Sequence, residues 1–381
     1  MINNEKVNNE KKINVGITHG DFNGISYEII LKTVADIRTL DLYTPVIYGS
    51  SKVASFIRKK FQLGDLNLNI IKSSDQISQK RPNLINCCTE KEYKIELGTS
   101  SSQAGQAAFE ALETSIEDLK QQNIDVVVTG PINKKNIQSD QFHFPGHTEY
   151  FAEKFDAPEH LMLMVRDKLR IGVVTGHIPL RDVSDALNED LILKKINQMH
   201  DSLCRDFGID KPKIAILGLN PHSGDDGLLG KEEQEIIIPT IDKAREGSKL
   251  IYGPFPADGF FGSGDFKYYD GILAMYHDQG LIPFKAIAAG AGVNFTAGLP
   301  IVRTSPAHGT AYSIANKNQA SAESLQEAIY LAIDIFKNRE EYDERNKKPL
   351  PYHLLEEMAR AEHKDEDLPE DLEGDNLLST L

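Results

Sequence analysis

Apolar runs short enough to be strands alternate with amphipathic stretches of helical period along most of this chain. "INVGIT" (13–18) leads into a helical pattern over 26–39, "TPVIYG" (44–49) leads into "SKVASFIRKKFQ" (51–62), and "IDVVVTG" (124–130) follows a long helical stretch over 103–120. Farther on come "LMLMVRD" (161–167), "LRIGVVT" (169–175), a helical stretch over 180–207, "KIAILGL" (213–219), a helix over 232–244 and "GILAMYH" (271–277). Strands joined by helical crossovers build largely parallel sheets with helices on their faces, so the pattern predicts an α/β protein whose first region is a doubly wound unit. The stretch 288–310, "AAGAGVNFTAGLPIVRTSPAHGT", is glycine-rich and reads as strand-poor, and 321–342 predicts one closing helix.

Three of the apolar runs are followed by a histidine: His177, His222 and His277. In a parallel sheet, ligands bind outside the carboxyl ends of the strands, where loops and helix N-termini converge. Three imidazoles in that position suit one divalent metal and leave coordination positions open for water or substrate. Their intervals are too long for a local zinc motif and fit one ligand per strand-helix unit. A single histidine after a strand is as readily a loop hydrogen-bonder; the repetition is what favours the metal. Asp278, next to His277, is placed to fix an imidazole tautomer.

"FPGHTEYF" (144–151) sets His147 and Thr148 at a helix start, where free N–H groups and the positive dipole end favour an anion, or where the threonine is a plain cap. Lys285, Asn294 and Arg303 add donors near glycine-rich backbone; a lysine with an arginine clamps phosphate or carboxylate, though each alone reads as a surface charge. Lys134 and Lys135 follow "VVTGP" and either approach a phosphate or form only a turn. The chain has no GxGxxG after a strand and no GxxxxGK[ST], so the residues do not support a Rossmann dinucleotide fold or a P-loop.

With 381 residues the chain can bury a large core, and the size prior gives about two domains. A net charge of −15 argues against a nucleic-acid partner, which needs a basic surface. Ten acidic residues crowd into 356–375 against Arg360 and Lys364, so the C-terminal stretch reads as a solvated appendage. No apolar run is long enough to cross a bilayer and the polar start lacks a signal region, which sets the expectation of a cytoplasmic protein without membrane contact. Three cysteines, with Cys87 and Cys88 adjacent, make neither a disulfide framework nor a CxxC site and read as inert.

The segments "GHTEYF", "TGHIPLRDV", "GLNPHSGDDGLLGKEE", "GPFPAD", "AMYHDQGLIPFK" and "GVNFTAGLPIVRTSPAHGTA" together resemble the 4-hydroxythreonine-4-phosphate dehydrogenase family of pyridoxal phosphate biosynthesis over roughly residues 12–340. The resemblance implies an isocitrate/isopropylmalate dehydrogenase-like fold, not a Rossmann one, with two α/β/α lobes and a cleft between them. The first lobe would comprise 1–140 plus 292–345 on the cofactor side, the inserted second lobe 141–291 on the metal, substrate and dimer side, and 346–381 an acidic extension. It implies that His177, His222 and His277 bind the metal, with zinc ahead of magnesium or cobalt. It also implies that His147, Thr148, Lys285, Asn294 and Arg303 bind substrate, and that the enzyme is a homodimer whose site is shared between subunits. "SPAHGTAYSIANK" resembles the wider superfamily's loop for the adenosine end of the cofactor, so His308, Gly309 and Thr310 are the expected contacts to NAD or NADP. The chain departs from the pattern in its first loop, "THGDFNGISYE", with His19, Asp21 and Asn23 where relatives carry a proline-rich version, and in Ser313 and Asn316 of the cofactor loop.

The reaction so implied is oxidation of the secondary alcohol of 4-phosphooxy-L-threonine, followed by decarboxylation of the β-keto acid. Asp258 in "FPADGFF" is the candidate base on chemical grounds, and equally an ordinary cap or turn aspartate; Lys285 is the second catalytic candidate. A dehydrogenase of threonate or erythronate 4-phosphate fits the same residues, differing by a hydroxyl in place of the amino group. From other classes, a metal-dependent phosphohydrolase would need further ligands, and a phosphosugar-binding protein would bind without turnover.

Overall fold

A computed structural model describes residues 12–64, 66–88 and 93–347 of the chain. Twelve strands form one sheet: β1 Ile13–Thr18, β2 Tyr43–Gly49, β3 Asn69–Ile71, β4 Asn83–Asn86, β5 Val126–Thr129, β6 Leu161–Arg166, β7 Leu169–Thr175, β8 Lys213–Leu217, β9 Leu250–Phe255, β10 Gly271–Tyr276, β11 Val293–Ala297 and β12 Val302–Pro306. Their order is β3-β4-β2-β1-β5-β12-β11-β6-β7-β10-β8-β9. The pairs from β3 through to β12 are parallel, as are those from β7 to β9, whereas β12–β11, β11–β6 and β6–β7 are antiparallel. Two parallel wings thus join through an antiparallel centre, and strand direction reverses between them.

The wings follow from continuous apolar strands flanked by capped helices. β1 and β5 are buried along almost their whole length, as strands covered on both faces must be. Ser50 accepts a hydrogen bond from Val53 N at the start of helix Ser51–Lys60, Ser101 does so from Ala104 N at Ser102–Lys120, and Asn188 from Leu191 N at Glu189–Arg205, each satisfying a free donor of a first turn. Helix Glu189–Arg205 buries Ile192, Ile196, Met199 and Leu203, one stripe at helical spacing.

Three expectations change. The helical stretch 180–207 is broken: a short turn at Val183–Ala186 ends before Asn188, which starts the main helix afresh as its cap. The helix over 232–244 opens with a π-helical turn, Glu233–Ile237, before Ile238–Arg245. The stretch 288–310 holds two strands, β11 and β12, and they are the centre of the sheet. Its glycines lie at the strand ends, with Gly290 and Gly298 at positive φ, so glycine content marked the turns and hid the strands between them.

The residues to Arg339 form one compact unit. A second unit begins at Glu340, where the described residues complete helix Glu323–Lys347, with Arg345 and Glu341 paired at 3.6 Å. The acidic run over 356–375 lies outside the described residues. No described helix is long and apolar enough to cross a membrane.

Candidate active site

The antiparallel centre makes the floor of a cavity of about 220 Å³. Side chains alternate along a strand, so Met162 and Met164 of β6, Asn294 and Thr296 of β11, and Arg303 and Ser305 of β12 share one face. Register aligns Asn294 with both Ser305 and Met164, and Thr296 with Met162. The residues between them, Leu163 and Phe295, point into the core on the other side. The cavity's walls come from the loop after β5, the start of helix His147–Lys154, the loop after β7, helix His277–Ala288 and the loop after β12.

Arg303 is 2% exposed. Its guanidinium donates to Thr129 Oγ1 at 3.1 and 2.7 Å, to Thr296 Oγ1 at 3.2 Å and to Ser305 Oγ at 3.0 Å. Among the described residues no carboxylate lies within ion-pair distance of it. A buried cation held by hydroxyls has lost much of its hydration, and burial, only partly offset by the charge of Glu149 in the same cavity, pulls its pKa down from 12.5 to about 9. His147, Thr148, Lys285 and Asn294 line the same cavity, as does Lys134. His147 Nε2, Asn294 Oδ1 and His308 Nε2 are enclosed and lack hydrogen-bond partners among the described residues. Burial first, then the charges of Arg303 and Lys134, hold the His147 pKa well below 6.5, so at neutral pH it is an uncharged imidazole. This set is a cationic, donor-rich anion receptor built before any anion arrives.

His277 is the first residue of its helix, and Leu281 and Lys285 follow at i+4 and i+8 on the same face. His177 lies two residues past β7, and its ring centroid is 5.8 Å from that of His277. His277 Nδ1 meets Asp278 Oδ1 at 2.7 Å, the contact anticipated from their adjacency, and His177 Nδ1 meets Glu149 Oε1 at 3.4 Å. The hydrogen bond to His177 is the main cause holding the Glu149 carboxyl below its usual value. With Nδ1 engaged on both rings, Nε2 is the nitrogen left to each for a metal. The donor set therefore fits a divalent cation.

His222 is placed differently. It stands in a left-handed turn, His222 to Asp226, whose φ angles run from 44 to 82°. Non-glycine residues there cost of order 1–3 kcal/mol each and need external support. Glu233, 1% exposed, supplies it by accepting from Leu219 N at 2.8 Å, Asn220 N at 2.7 Å and Asn220 Nδ2 at 2.9 Å. His222 lines a neighbouring cavity with Asp258, Tyr276 and Asp278. Among the described residues no three His, Cys, Asp or Glu side chains of one chain converge closely enough to hold a metal. Asp258, in the first turn of helix Ala257–Ser263, is exposed and on the His222 side.

Of the expected cofactor contacts, His308 and Gly309 line the main cavity, and Thr310 instead accepts Ile25 N at 3.0 Å through its carbonyl. The unusual first-loop residues are structural links, fully buried. Asp21 accepts from Asn136 Nδ2 and Tyr312 Oη, both at 2.7 Å, and Asn23 Oδ1 accepts from Glu96 N at 2.9 Å. His19 Nε2 lies 3.1 Å from Ala107 O and 3.5 Å from Cys88 Sγ. Contact with the Cys87 thiol and burial push the Cys88 thiol upward, as an inert cysteine requires.

Glu149, Thr129, Thr296 and Ser305 were not singled out by the sequence reading. The hydroxyls were findable once 293–306 is read as strands, since they share a period-2 face with Asn294 and Arg303. Glu149 shows only through its place in "HTE"; Thr148 is no cap, since Gly146 is the N-cap without a side-chain bond and the Thr148 hydroxyl turns to Thr296 Oγ1 at 3.4 Å.

A 4-hydroxythreonine-4-phosphate dehydrogenase from Bacteroides thetaiotaomicron is 51% identical to this chain over 342 residues, 90% of the chain and 93% of the relative. A D-threonate 4-phosphate dehydrogenase from Cupriavidus necator is 36% identical over 331 residues, 85% of the chain and 98% of the relative. The crystal structure of 4-hydroxythreonine-4-phosphate dehydrogenase from Klebsiella pneumoniae superposes with a TM-score of 0.74 at 32% identity, covering 86% of this chain and 99% of the other. Residues 41–332 match the profile of the pyridoxal phosphate biosynthetic protein PdxA, and with these relatives spanning nearly their whole length, the chain belongs to the PdxA family.

Proposed function

We propose that the protein oxidises 4-phosphooxy-L-threonine to 2-amino-3-oxo-4-phosphooxybutanoate, with NAD or NADP as acceptor and a divalent cation bound, zinc ahead of magnesium or cobalt. The product then loses carbon dioxide to give 3-amino-2-oxopropyl phosphate in pyridoxal 5'-phosphate biosynthesis. The names of the relatives support the substrate. The observation that carries the reading is the buried Arg303, fixed by three hydroxyls and without an ion pair among the described residues, at the floor of a cavity with His147, Thr148, Asn294 and Lys285.

In this reading those five residues bind and orient the substrate's phosphate. Because the chain has already fixed Arg303, little further ordering is needed on binding. His177, His277 and His222 would hold the cation, which when bound supplies Lewis acidity toward the hydroxyl being oxidised, while the nicotinamide supplies the hydride acceptor. Asp258 accepts the hydroxyl proton from the His222 side, Lys285 contributes a cationic donor one helical face from His277, and His308, Gly309 and Thr310 belong to the cofactor end.

Among the described residues of one chain His222 does not join the other two in a metal-holding group, so in this reading a second copy supplies it. Leu180 and Leu228, 72% and 78% exposed, with Ile178 and Ile282, provide apolar surface around the histidines for that copy to cover. The lobe division, 1–140 with 292–345 against 141–291, would run between β11 and β6.

The test is reduction of NAD and NADP by the protein with 4-phosphooxy-L-threonine, with and without a chelator. Chelator-sensitive reduction is expected. Phosphate released without reduction would mark a phosphohydrolase and refute the reading. The relative from Cupriavidus necator favours a second reading, a dehydrogenase of a four-carbon sugar-acid phosphate such as threonate or erythronate 4-phosphate. A higher kcat/KM on that substrate would establish it.

A further inference from the structure

We infer that Glu149 is a positioning residue that fixes the imidazole of His177 for metal binding; this rests on the reading of His177 and His277 as metal ligands. A neutral imidazole offers one lone pair, and the hydrogen bond made by the other nitrogen decides which nitrogen offers it. His277 has that bond from its neighbour Asp278, at 2.7 Å. His177 has no acidic neighbour in sequence, and its Nδ1 faces Glu149 Oε1 at 3.4 Å, across from another element. The two rings, 5.8 Å apart, therefore carry a carboxylate on the same nitrogen. The equivalence extends to function: each ring keeps Nε2 for a common ion.

Three further observations set Glu149 apart from an ordinary ion-pairing residue. It is the only carboxylate among the described residues lining the main cavity. Its Oε2 is enclosed near Gly146 and has no hydrogen-bond partner among the described residues, although Lys134 lines the same cavity, so Oε1, on His177, is the oxygen that the chain engages. It also belongs to the first helical turn that carries His147 and Thr148, so one rigid element sets both the anion receptor and the orientation of His177. Neither Glu149→Gln nor Glu149→Ala alters the cap or the apolar side of that helix.

The test needs no substrate. Metal-stripped full-length protein is titrated calorimetrically with Zn²⁺ as wild type, Glu149→Ala and Glu149→Gln, with circular dichroism and the metal-free melting temperature as controls of folding. Loss of an outer carboxylate typically costs about 10–100-fold in metal affinity, which is the expectation for Glu149→Ala. Glu149→Gln, whose side-chain oxygen still accepts from Nδ1–H, should recover most of the affinity. Zn²⁺ binding by Glu149→Ala equal to wild type overturns the inference while leaving the metal reading intact. So does a loss as large in Glu149→Gln as in Glu149→Ala, since charge rather than orientation would then be at work. Wild-type protein that binds no Zn²⁺ sinks the metal reading and this inference together.

Discussion

Replacing Arg303 by methionine separates what this side chain does for the fold from what it does for the ligand. Methionine keeps much of the volume and removes the charge. In the free protein the change deletes four hydrogen bonds to three hydroxyls, but two of those groups keep other partners: Thr129 Oγ1 lies 3.5 Å from Thr304 O, and Thr296 Oγ1 lies 3.4 Å from Thr148 Oγ1. Against those losses stands relief of a buried guanidinium that Glu149, in the same cavity, compensates only partly, and apolar replacement of buried charge is often neutral or stabilising by roughly 1–4 kcal/mol. Stability of the ligand-free variant should therefore be unchanged or higher. Binding should go the other way, because a hydrogen bond between charged groups is worth about 1.5–3 kcal/mol, or roughly 10–150-fold in kcat/KM. Denaturant midpoints give the first quantity, and melting with saturating 4-phosphooxy-L-threonine gives the second. A ligand at about a hundred times its Kd adds roughly 2.7 kcal/mol to wild-type stability, a shift of about 3 °C for a chain of this size, and at the same concentration should add only about 0.3–1.4 kcal/mol to the variant. A variant that is grossly destabilised when free, yet shifted by ligand as much as wild type, would show that Arg303 serves the sheet and that the anion binds elsewhere.

Three other outcomes follow from the same physics. His147 has a folded pKa depressed by burial, so above about pH 6.5 both states are neutral and nothing is lost; as pH falls below that value the unfolded chain takes up a proton that the native state refuses, and stability falls by at most about 1.4 kcal/mol per pH unit. Urea midpoints at several pH values should fall less steeply toward acid for His147→Gln than for wild type, and parallel curves would refute the assignment. Asp206 and Arg339 form an ion pair at 2.6 Å with 4% and 8% side-chain exposure, so Asp206→Asn should cost about 3–5 kcal/mol in chemical denaturation, and a loss below about 1 kcal/mol would mean the pair is solvated. If a second copy supplies His222, inactive His277→Ala and His222→Ala proteins, unfolded and refolded together, should regain about a quarter of wild-type turnover, since half the dimers are mixed and each mixed dimer has one whole site. A mixture that stays inactive while forming mixed dimers would place all three histidines in one subunit.

How much of this was legible in the chain depended on how local the signal was. Most of the wings was, because β1, β2, β5, β7, β8 and β10 are largely apolar runs and some of the helices carry their own cap and stripe, as Asn188 with Ile192, Ile196 and Met199 illustrates, whereas the short β3 and β4, with asparagines in them, and β9, broken by Gly253-Pro254, went unread. The centre was not. β11 and β12 turn Asn294, Arg303 and Ser305 to the cavity, with Thr296 buried on the same face, so about half of each strand is polar and the periodicity resembles that of a loop. Functional demand had overwritten the pattern that announces a strand.

The site divides in the same way. His177 and His277 sit within two residues of strands that are neighbours in the sheet, so chain position and spatial position agree, and their meeting follows from β7 pairing with β10. β8 also pairs with β10, yet His222 is five residues past its strand, inside a left-handed turn that no propensity would have proposed. The turn exists because Glu233, eleven residues later, brings a buried carboxylate back to the amides of Leu219 and Asn220. Such support is visible only in three dimensions, and it has a consequence for the chemistry. The anchored, strained turn sets His222 against a different cavity from the one that His177 and His277 share. In the proposed dimeric site, the strain of that turn would be offset by the ligand that His222 offers to the neighbouring copy.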